Sequence, residues 1–336
     1  MSTIKIYDCS NSDERPAHRS SSLCPVTNDI CADLMEYVEN EKYEQFEYVI
    51  DPIDADVIFT NDVYPEYILN PGKPMVKRMD GVFWQKELQD RNIKYFQAAY
   101  QSSRVVFISK YSSDCFYKIC PFKKVPRTSI VILNDAPEWI FHPRFPRFRL
   151  SNPIHQITFA ACVSNWRREE KRFEALIEFA EICSGIKDID IYINLIGECD
   201  AKLPSNIWRK GYCEDRNDIA DILRVSDAFI NVSYRDAAPK TVCQAIRSGL
   251  PVLYANSGGV GEIVGDFGVP IFDKENESQE IYKLKEDDIR ASLNEFIKCL
   301  YPIKESLINK QEPDKDGFVS YRTLLDKYLE VFYEVA

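Results

Sequence analysis

Short apolar runs alternate along the chain with stretches in which hydrophobic residues return at helical spacing. That alternation is the signature of βα units and parallel sheets. In the first half the runs predict strands at Ile4–Asp8, Phe46–Ile50, Asp56–Thr60, Met75–Met79, Val105–Ser109 and Ile130–Leu133, with helices over Asp29–Tyr37 and Gln85–Tyr100. From Phe141 to Arg149 prolines and arginines follow with no sustained period. Proline fixes its own φ and restricts the residue before it, so this stretch, His142 included, reads as a linker.

Beyond it the alternation restarts. Strands are predicted at Ile157–Val163, Ile189–Ile196, Asn206–Lys210, Ala228–Val232, Pro251–Tyr254 and Pro270–Phe272, and helices over Lys171–Cys183, Arg216–Arg224 and Thr241–Ser248. From about Asp287 the tail is helical: Ile289, Leu293, Phe296 and Leu300 recur at helical spacing, as do Leu324, Leu325, Tyr328 and Phe332. The pattern supports an α/β chain of two Rossmann-like halves, residues 1–150 and 151–300, followed by closing helices over 301–336. A ligand is expected at the carboxyl ends of the strands, in a cleft between the halves.

Composition agrees with this picture. A length of 336 residues fits two domains, at about 150 residues each. With 45% hydrophobic and 28% charged residues the chain is neither disordered, nor collagen-like, nor a coiled-coil rod. No apolar run approaches the roughly 18 residues that span a bilayer, and Met1 to Asp8 reads as a strand rather than as a signal peptide. Forty-two Lys and Arg against 53 Asp and Glu leave a net charge of −11. Such a surface repels a phosphate polymer, which argues against nucleic-acid binding. A small anionic ligand needs only one local basic pair. The 11 cysteines are scattered, odd in number and without a Cys-x-x-Cys pair. Cys162, Cys183 and Cys243 sit in apolar contexts, as small core residues do. A reduced, cytoplasmic protein is expected, and three histidines make a zinc site an unlikely design.

The segment richest in chemistry runs from Ser233 to Val252: a strand, a loop, a helix, then Gly249-Leu250-Pro251-Val252 into another strand. Lys240, Thr241 and Val242 fall in the first helical turn, where free N–H groups and the positive end of the helix dipole favour an anion. Gln244 lies one turn deeper. By spacing alone the segment equally fits any αβ unit with a glycine at the helix C-terminus.

Asp236, Pro239, Ala245, Gly249, Pro251 and Val252 stand in the register of the donor-binding motif of retaining GT-B glycosyltransferases of the family-4 type, which this segment resembles. The run Ser257-Gly258-Gly259-Val260-Gly261-Glu262 is similar to that family's Gly-Gly-x-x-Glu loop. Arg167 and Lys171, within Asn165–Arg172, resemble its pair of cations that neutralises the departing nucleoside diphosphate; four residues apart, they would share a helical face. Arg78-Met79-Asp80-Gly81 resembles the family's Arg-Leu-Asp-Gly strand end, with Asp80 toward sugar and acceptor. A plain strand followed by an Asp-Gly turn fits those residues too. Asn134-Asp135, with Phe141 and Pro143, is similar to its Asn-Gly and Phe-x-Pro steps.

The resemblance implies a GT-B fold whose two Rossmann-like domains face a cleft, with the C-terminal helix crossing back to the first. It implies transfer of a sugar from a nucleotide-sugar donor, UDP- or GDP-linked, to a glycan, lipid or other hydroxyl acceptor with the anomeric configuration kept. Arg167 and Lys171 would stabilise the leaving diphosphate, Asp236 would orient sugar hydroxyls, and Asp80 would complete the catalytic set. Pro239, Lys240, Thr241, Gln244 and Tyr212 would hold the nucleotide. No metal or other cofactor is required by that scheme. Three residues depart from the pattern: Ala238 replaces a Cys, Lys240 an Asn, and Gln244 the Glu that accepts from the ribose. Gln keeps one acceptor oxygen without the charge, which weakens that bond by about 1 kcal/mol. Lys240 adds positive charge beside the phosphates.

Other chemistries lack their motifs. There is no Gly-x-x-x-x-Gly-Lys-Ser/Thr loop, no Gly-x-Gly-x-x-Gly after the first strand and no Gly-x-Ser-x-Gly elbow. His18, His142 and His155 have no neighbours that suggest a triad or a metal. Ser10, Ser12, Arg15 and Ser20 to Ser22 belong to a loop that either serves the acceptor or is mobile. A nucleotide-sugar epimerase or hydrolase, and a silent binding protein, are the alternatives on the same architecture.

Overall fold

The computed structural model describes residues 3–8, 25–40, 43–49, 51–61, 73–84, 89–122, 128–143, 155–271, 284–310 and 320–336. The serine-rich loop from Ser10 to Ser22 lies outside them. The chain divides into two compact units, residues 1–133 with 321–336 and residues 134–320.

The first unit carries a parallel sheet of six strands: β1 (Ile4–Asp8), β2 (Phe46–Val49), β3 (Val57–Thr60), β4 (Met75–Met79), β5 (Arg104–Phe107) and β6 (Ser129–Val131). Their order is β2-β1-β3-β4-β5-β6. Strands β3 and β4 are buried along their whole length, as parallel strands covered on both faces must be. Burial forces their polar members to find partners. Lys77 lies 4.7 Å from the Tyr95 ring centre, and Arg78 Nε donates to Tyr328 Oη at 3.2 Å. Helices α1 (Pro25–Asn40), α2 (Gln89–Gln101) and α3 (Lys110–Ile119) follow β1, β4 and β5. A reciprocal capping box between Ser109 and Ser112 starts α3, which the hydrophobic pattern did not predict. The closing helix of the chain (Tyr321–Val335) belongs to this unit. It buries Leu325, Tyr328 and Phe332 in the same cluster as Ile6, Leu34 and Phe59. Tyr37 Oη donates to Asp326 at 2.8 Å and Tyr321 Oη to Asp33 at 2.8 Å.

The second unit has its own six parallel strands: β7 (Gln156–Asn165), β8 (Asp190–Glu198), β9 (Ile207–Gly211), β10 (Ala228–Asn231), β11 (Val252–Ala255) and β12 (Gly268–Ile271), in the order β12-β11-β10-β7-β8-β9. Helices α4 (Phe173–Ser184), α5 (Arg216–Arg224), α6 (Lys240–Arg247), the short α7 (Val260–Val264) and α8 (Glu286–Lys310) connect or close it. Written outward from β7, this is the Rossmann order, whose direction reverses between β7 and β10. Of the stretch expected to form a linker, Phe141 and Pro143 are core instead, His142 is exposed, and residues 144–149 lie outside the described residues. Phe141 is fully buried among Phe229, Val242 and Ile246, and Pro143 lies where a Cβ on Gly249 would meet it at 3.2 Å. The apolar surface of Phe141 outweighs the proline signal around it.

Candidate functional site

The reversal point brings together the two loops that leave β7 and β10. Their shape starts from local rules. After β7, Asn165 Oδ1 accepts from the Arg167 N–H at 2.8 Å, and Trp166 is buried with its indole N–H on the Ile196 carbonyl at 2.9 Å. Gly197 of β8 allows β7 to pass so closely that a Cβ there would lie 1.9 Å from the Val163 carbonyl. A single 3₁₀ turn (Glu169–Lys171) follows, and Arg172 then takes a left-handed backbone at φ 50°.

The predicted helix over Lys171–Cys183 therefore begins at Phe173. The left-handed Arg172 separates it from the turn before, so Arg167 and Lys171 share no helical face. Their side chains part. Arg167 is exposed and paired with Asp200, itself exposed. Lys171 Nζ donates to Asp236 Oδ2 at 2.6 Å, with both side chains largely buried. At that distance and burial the pair is a charge-assisted bond rather than a screened surface contact.

Asp236 is placed by the loop after β10. Asn231 Oδ1 accepts from Ser233 N–H at 3.1 Å, Tyr234 N–H donates to the Glu170 carbonyl at 2.7 Å, and Arg235 N–H donates to Ser257 Oγ at 2.9 Å. Gly259 N–H closes the loop on the Asp236 carbonyl at 2.9 Å. Gly258, at φ 75°, packs so tightly that a Cβ would sit 2.3 Å from that same carbonyl oxygen. This is the close backbone approach that only glycine allows.

Four residues past Asp236 the chain enters α6. Its N-cap is Pro239, which supplies no side-chain cap. The first-turn amides of Lys240 and Thr241 thus sit at the positive end of the helix. Every residue of α6 except Thr241 is buried, so its polar side chains require partners. Arg247 has one: its Nε donates to Asp135 Oδ1 at 2.9 Å and its Nη2 to Oδ2. Burial pulls the Arg247 pKa down, but the bonds and charge of Asp135 more than offset it. Asn134 Nδ2 donates to the Ala238 carbonyl at 2.9 Å and Cys243 Sγ to the Asn134 carbonyl at 3.3 Å. Residues 134–135 therefore clamp both the entrance and the far end of the helix. Gln244 differs. It is 5% exposed, and its Oε1 is buried with no hydrogen-bond partner among the described residues. A buried acceptor left unpaired costs about 1–3 kcal/mol, and native structures keep such groups for a reason.

No family model and no curated protein matches the sequence. Solved structures do. A glycosyltransferase from Rickettsia africae ESF-5 superposes with a TM-score of 0.62 at 15% identity, over 100% of this chain and 99% of that one. WaaG, a glycosyltransferase involved in lipopolysaccharide biosynthesis, gives 0.67 at 12% identity, over 98% and 99%. Anabaena Alr3699/HepE, solved in complex with UDP, gives 0.63 at 15% identity, over 99% and 100%. The chain has the GT-B glycosyltransferase fold.

Within the second unit of this GT-B fold, Lys171, Asp236, Pro239, Lys240, Thr241 and Gln244 follow the carboxyl ends of the adjacent strands β7 and β10. Tyr212 lies just past β9, at the same edge of the sheet but two strands from β7, and is 43% exposed. Asp80 belongs to the first unit. It directly follows β4, and its Oδ1 lies 2.7 Å from Nη1 of the buried Arg78. Sequence reasoning missed the Tyr234–Glu170 bond and the Asp135–Arg247 pair. Neither leaves a periodic signal, because each depends on which strands become neighbours. Among the described residues no group of three or more His, Cys, Asp or Glu is arranged to hold a metal, and no helix is long and apolar enough to cross a membrane.

Proposed function

We propose that this protein transfers a glycosyl group from a nucleoside diphosphate sugar, UDP- or GDP-linked, to a hydroxyl acceptor with retention of configuration. The observation that carries the reading is the set of groups at the strand-order reversal: a largely buried cation, Lys171, held by Asp236, beside a helix whose N-terminus has no side-chain cap and a buried acceptor, Gln244 Oε1, without a partner among the described residues. These complement, in turn, a diphosphate, its negative oxygens, and a ribose hydroxyl. Anabaena Alr3699/HepE, of the same fold, has been solved with UDP and with UDP-glucose, which supports this choice of ligand.

In this reading Lys171 neutralises charge that develops on the leaving diphosphate, a task for which a preorganised cation in a dry site is well suited. The amides of Lys240 and Thr241 assist it. Arg167 joins from the rim by exchanging Asp200 for the phosphates. Pro239 starts α6 with its fixed φ, Gln244 accepts from the ribose, and Tyr212 contacts the nucleotide. Asp236 orients sugar hydroxyls once the phosphate has drawn Lys171 away. Asp80 serves the acceptor. Every cysteine whose side chain is described is a free thiol, which supports a reducing compartment such as the cytoplasm.

The test is calorimetric titration of UDP, GDP, ADP, TDP and CMP into the parent and Lys171→Ala proteins. One diphosphate is expected to bind the parent, and at least tenfold more weakly the variant. Equal binding to both proteins, or to neither, refutes the reading.

A further inference from the structure

With exposed Arg167 paired to Asp200, two further arginines adjoin the Lys171–Asp236 pair along the chain. Arg172 directly follows Lys171, and Arg235 directly precedes Asp236. Both have left-handed backbones, at φ 50° and 51°. Among the described residues Asp188 alone joins them as a non-glycine with positive φ. That conformation costs a residue with a Cβ on the order of 1 kcal/mol and persists where the surroundings over-determine it. Each of the two turns that deliver the ion pair is therefore strained at the residue beside it. Glycine would relieve that strain, yet arginine occupies both places.

Both guanidinium groups share one aromatic face system. Arg172 lies 4.6 Å and Arg235 4.9 Å from the Tyr234 ring centre. The backbone of that tyrosine also bonds the two turns together through Glu170. Arg172 is fully buried, whereas Arg235 is half-buried. A guanidinium stacked on a ring has lost much of its rotamer freedom beforehand and still presents a planar fork of donors. That fork suits a pyrophosphate, which it can grip through two oxygens at once.

We infer that Arg235 contacts the pyrophosphate of the bound nucleotide as a second cation beside Lys171, and that Tyr234 and Arg172 are positioning residues for it. The inference rests on the nucleoside diphosphate reading above. Strained arginines at two glycine-like positions, braced on one ring and flanking the Lys171–Asp236 pair, are accounted for by this role.

The experiment compares thermal stability with binding of UDP, GDP and inorganic pyrophosphate for the parent, Arg235→Gly, Tyr234→Phe, Tyr234→Leu and Asp188→Gly. Glycine suits φ near 50°, so Arg235→Gly is expected to fold with a melting temperature equal to or above that of the parent. Its affinity for the nucleotide falls at least tenfold. Tyr234→Phe, which keeps the ring, retains binding, whereas Tyr234→Leu weakens it several-fold. Asp188→Gly relieves the same backbone strain before β8, at the opposite edge of the sheet, and leaves binding unchanged. Undiminished affinity in Arg235→Gly, whatever its melting temperature, marks an arginine that only braces the turn, and that result overturns the inference while the nucleotide reading stands. A parent that binds none of the three probes overturns both.

Discussion

Replacing Gln244 with Met separates stability from function in a way the structure makes quantitative. Met has the length and flexibility of Gln without its polar atoms. In the protein free of ligand, Gln244 Oε1 is buried without a partner among the described residues, a burden of about 1–3 kcal/mol relative to an apolar group of the same shape. Some of that gain is offset by imperfect packing of the new sulfur, since volume-conserving swaps themselves cost up to about 1.5 kcal/mol. A net stabilisation of about 1 kcal/mol remains, or a rise of about 2–4 °C in melting temperature for a unit of this size. The same change removes the acceptor assigned to the ribose. In the parent a nucleotide at a hundredfold excess over its Kd adds about 2.7 kcal/mol, and in Gln244→Met most of that shift is lost. The assay is a pair of thermal melts, with and without the nucleotide that binds best. A variant that melts lower than the parent when empty, yet keeps the full ligand shift, refutes the reasoning on both counts.

Two further outcomes follow from the same geometry. Gly258→Ala forces a Cβ to 2.3 Å from the Asp236 carbonyl in a left-handed conformation. It is expected to destabilise the second unit by about 2–4 kcal/mol, read as a lower urea midpoint, with weakened nucleotide binding; a midpoint equal to the parent's contradicts this packing. Alkaline pH is expected to destabilise the second unit through its buried thiols. Burial, with the charge of Cys213 adding, pushes the Cys162 thiol up to about 12 from 9.0, and burial raises Cys183 and Cys243 as well. Because the folded values lie above the unfolded one, the stability is fully present below pH 9 and is lost as pH rises beyond it. Each thiol contributes a loss of about 1.4 kcal/mol between pH 8 and 10. A urea midpoint unchanged across that range would show the three thiols to be solvated.

The central strands β3, β4, β10 and β11 were legible in the sequence because parallel strands buried on both faces read as continuous apolar runs. All 12 described strands overlap predicted runs, β12 by only Pro270 and Ile271. Helices were less so. The α3 segment (Lys110–Ile119) is rich in Ser and Tyr, and its clearest signal was the capping pair Ser109 and Ser112 rather than a hydrophobic stripe. The helix start after β7 was misplaced because a left-handed Arg172 has no periodic signature, and this is what turned Arg167 from a partner of Lys171 into a partner of Asp200. Lys171 and Asp236 were both singled out, yet their pairing was not. They are 65 residues apart and meet only because β7 and β10 become neighbours at the reversal of strand order. Gln244 was legible as a departure from a motif, whereas its unpaired oxygen could be seen only once α6 was packed on every side.

The loops that follow β7 and β10 are proposed to receive a nucleoside diphosphate. A crystal structure of the protein soaked with UDP, or with GDP if that binds more tightly, tests it most directly. The diphosphate is expected within hydrogen-bond distance of Lys171 and of the first α6 amides, with a ribose hydroxyl on Gln244. Nucleotide bound elsewhere, with the Lys171–Asp236 pair intact and Gln244 still unpaired, would contradict it.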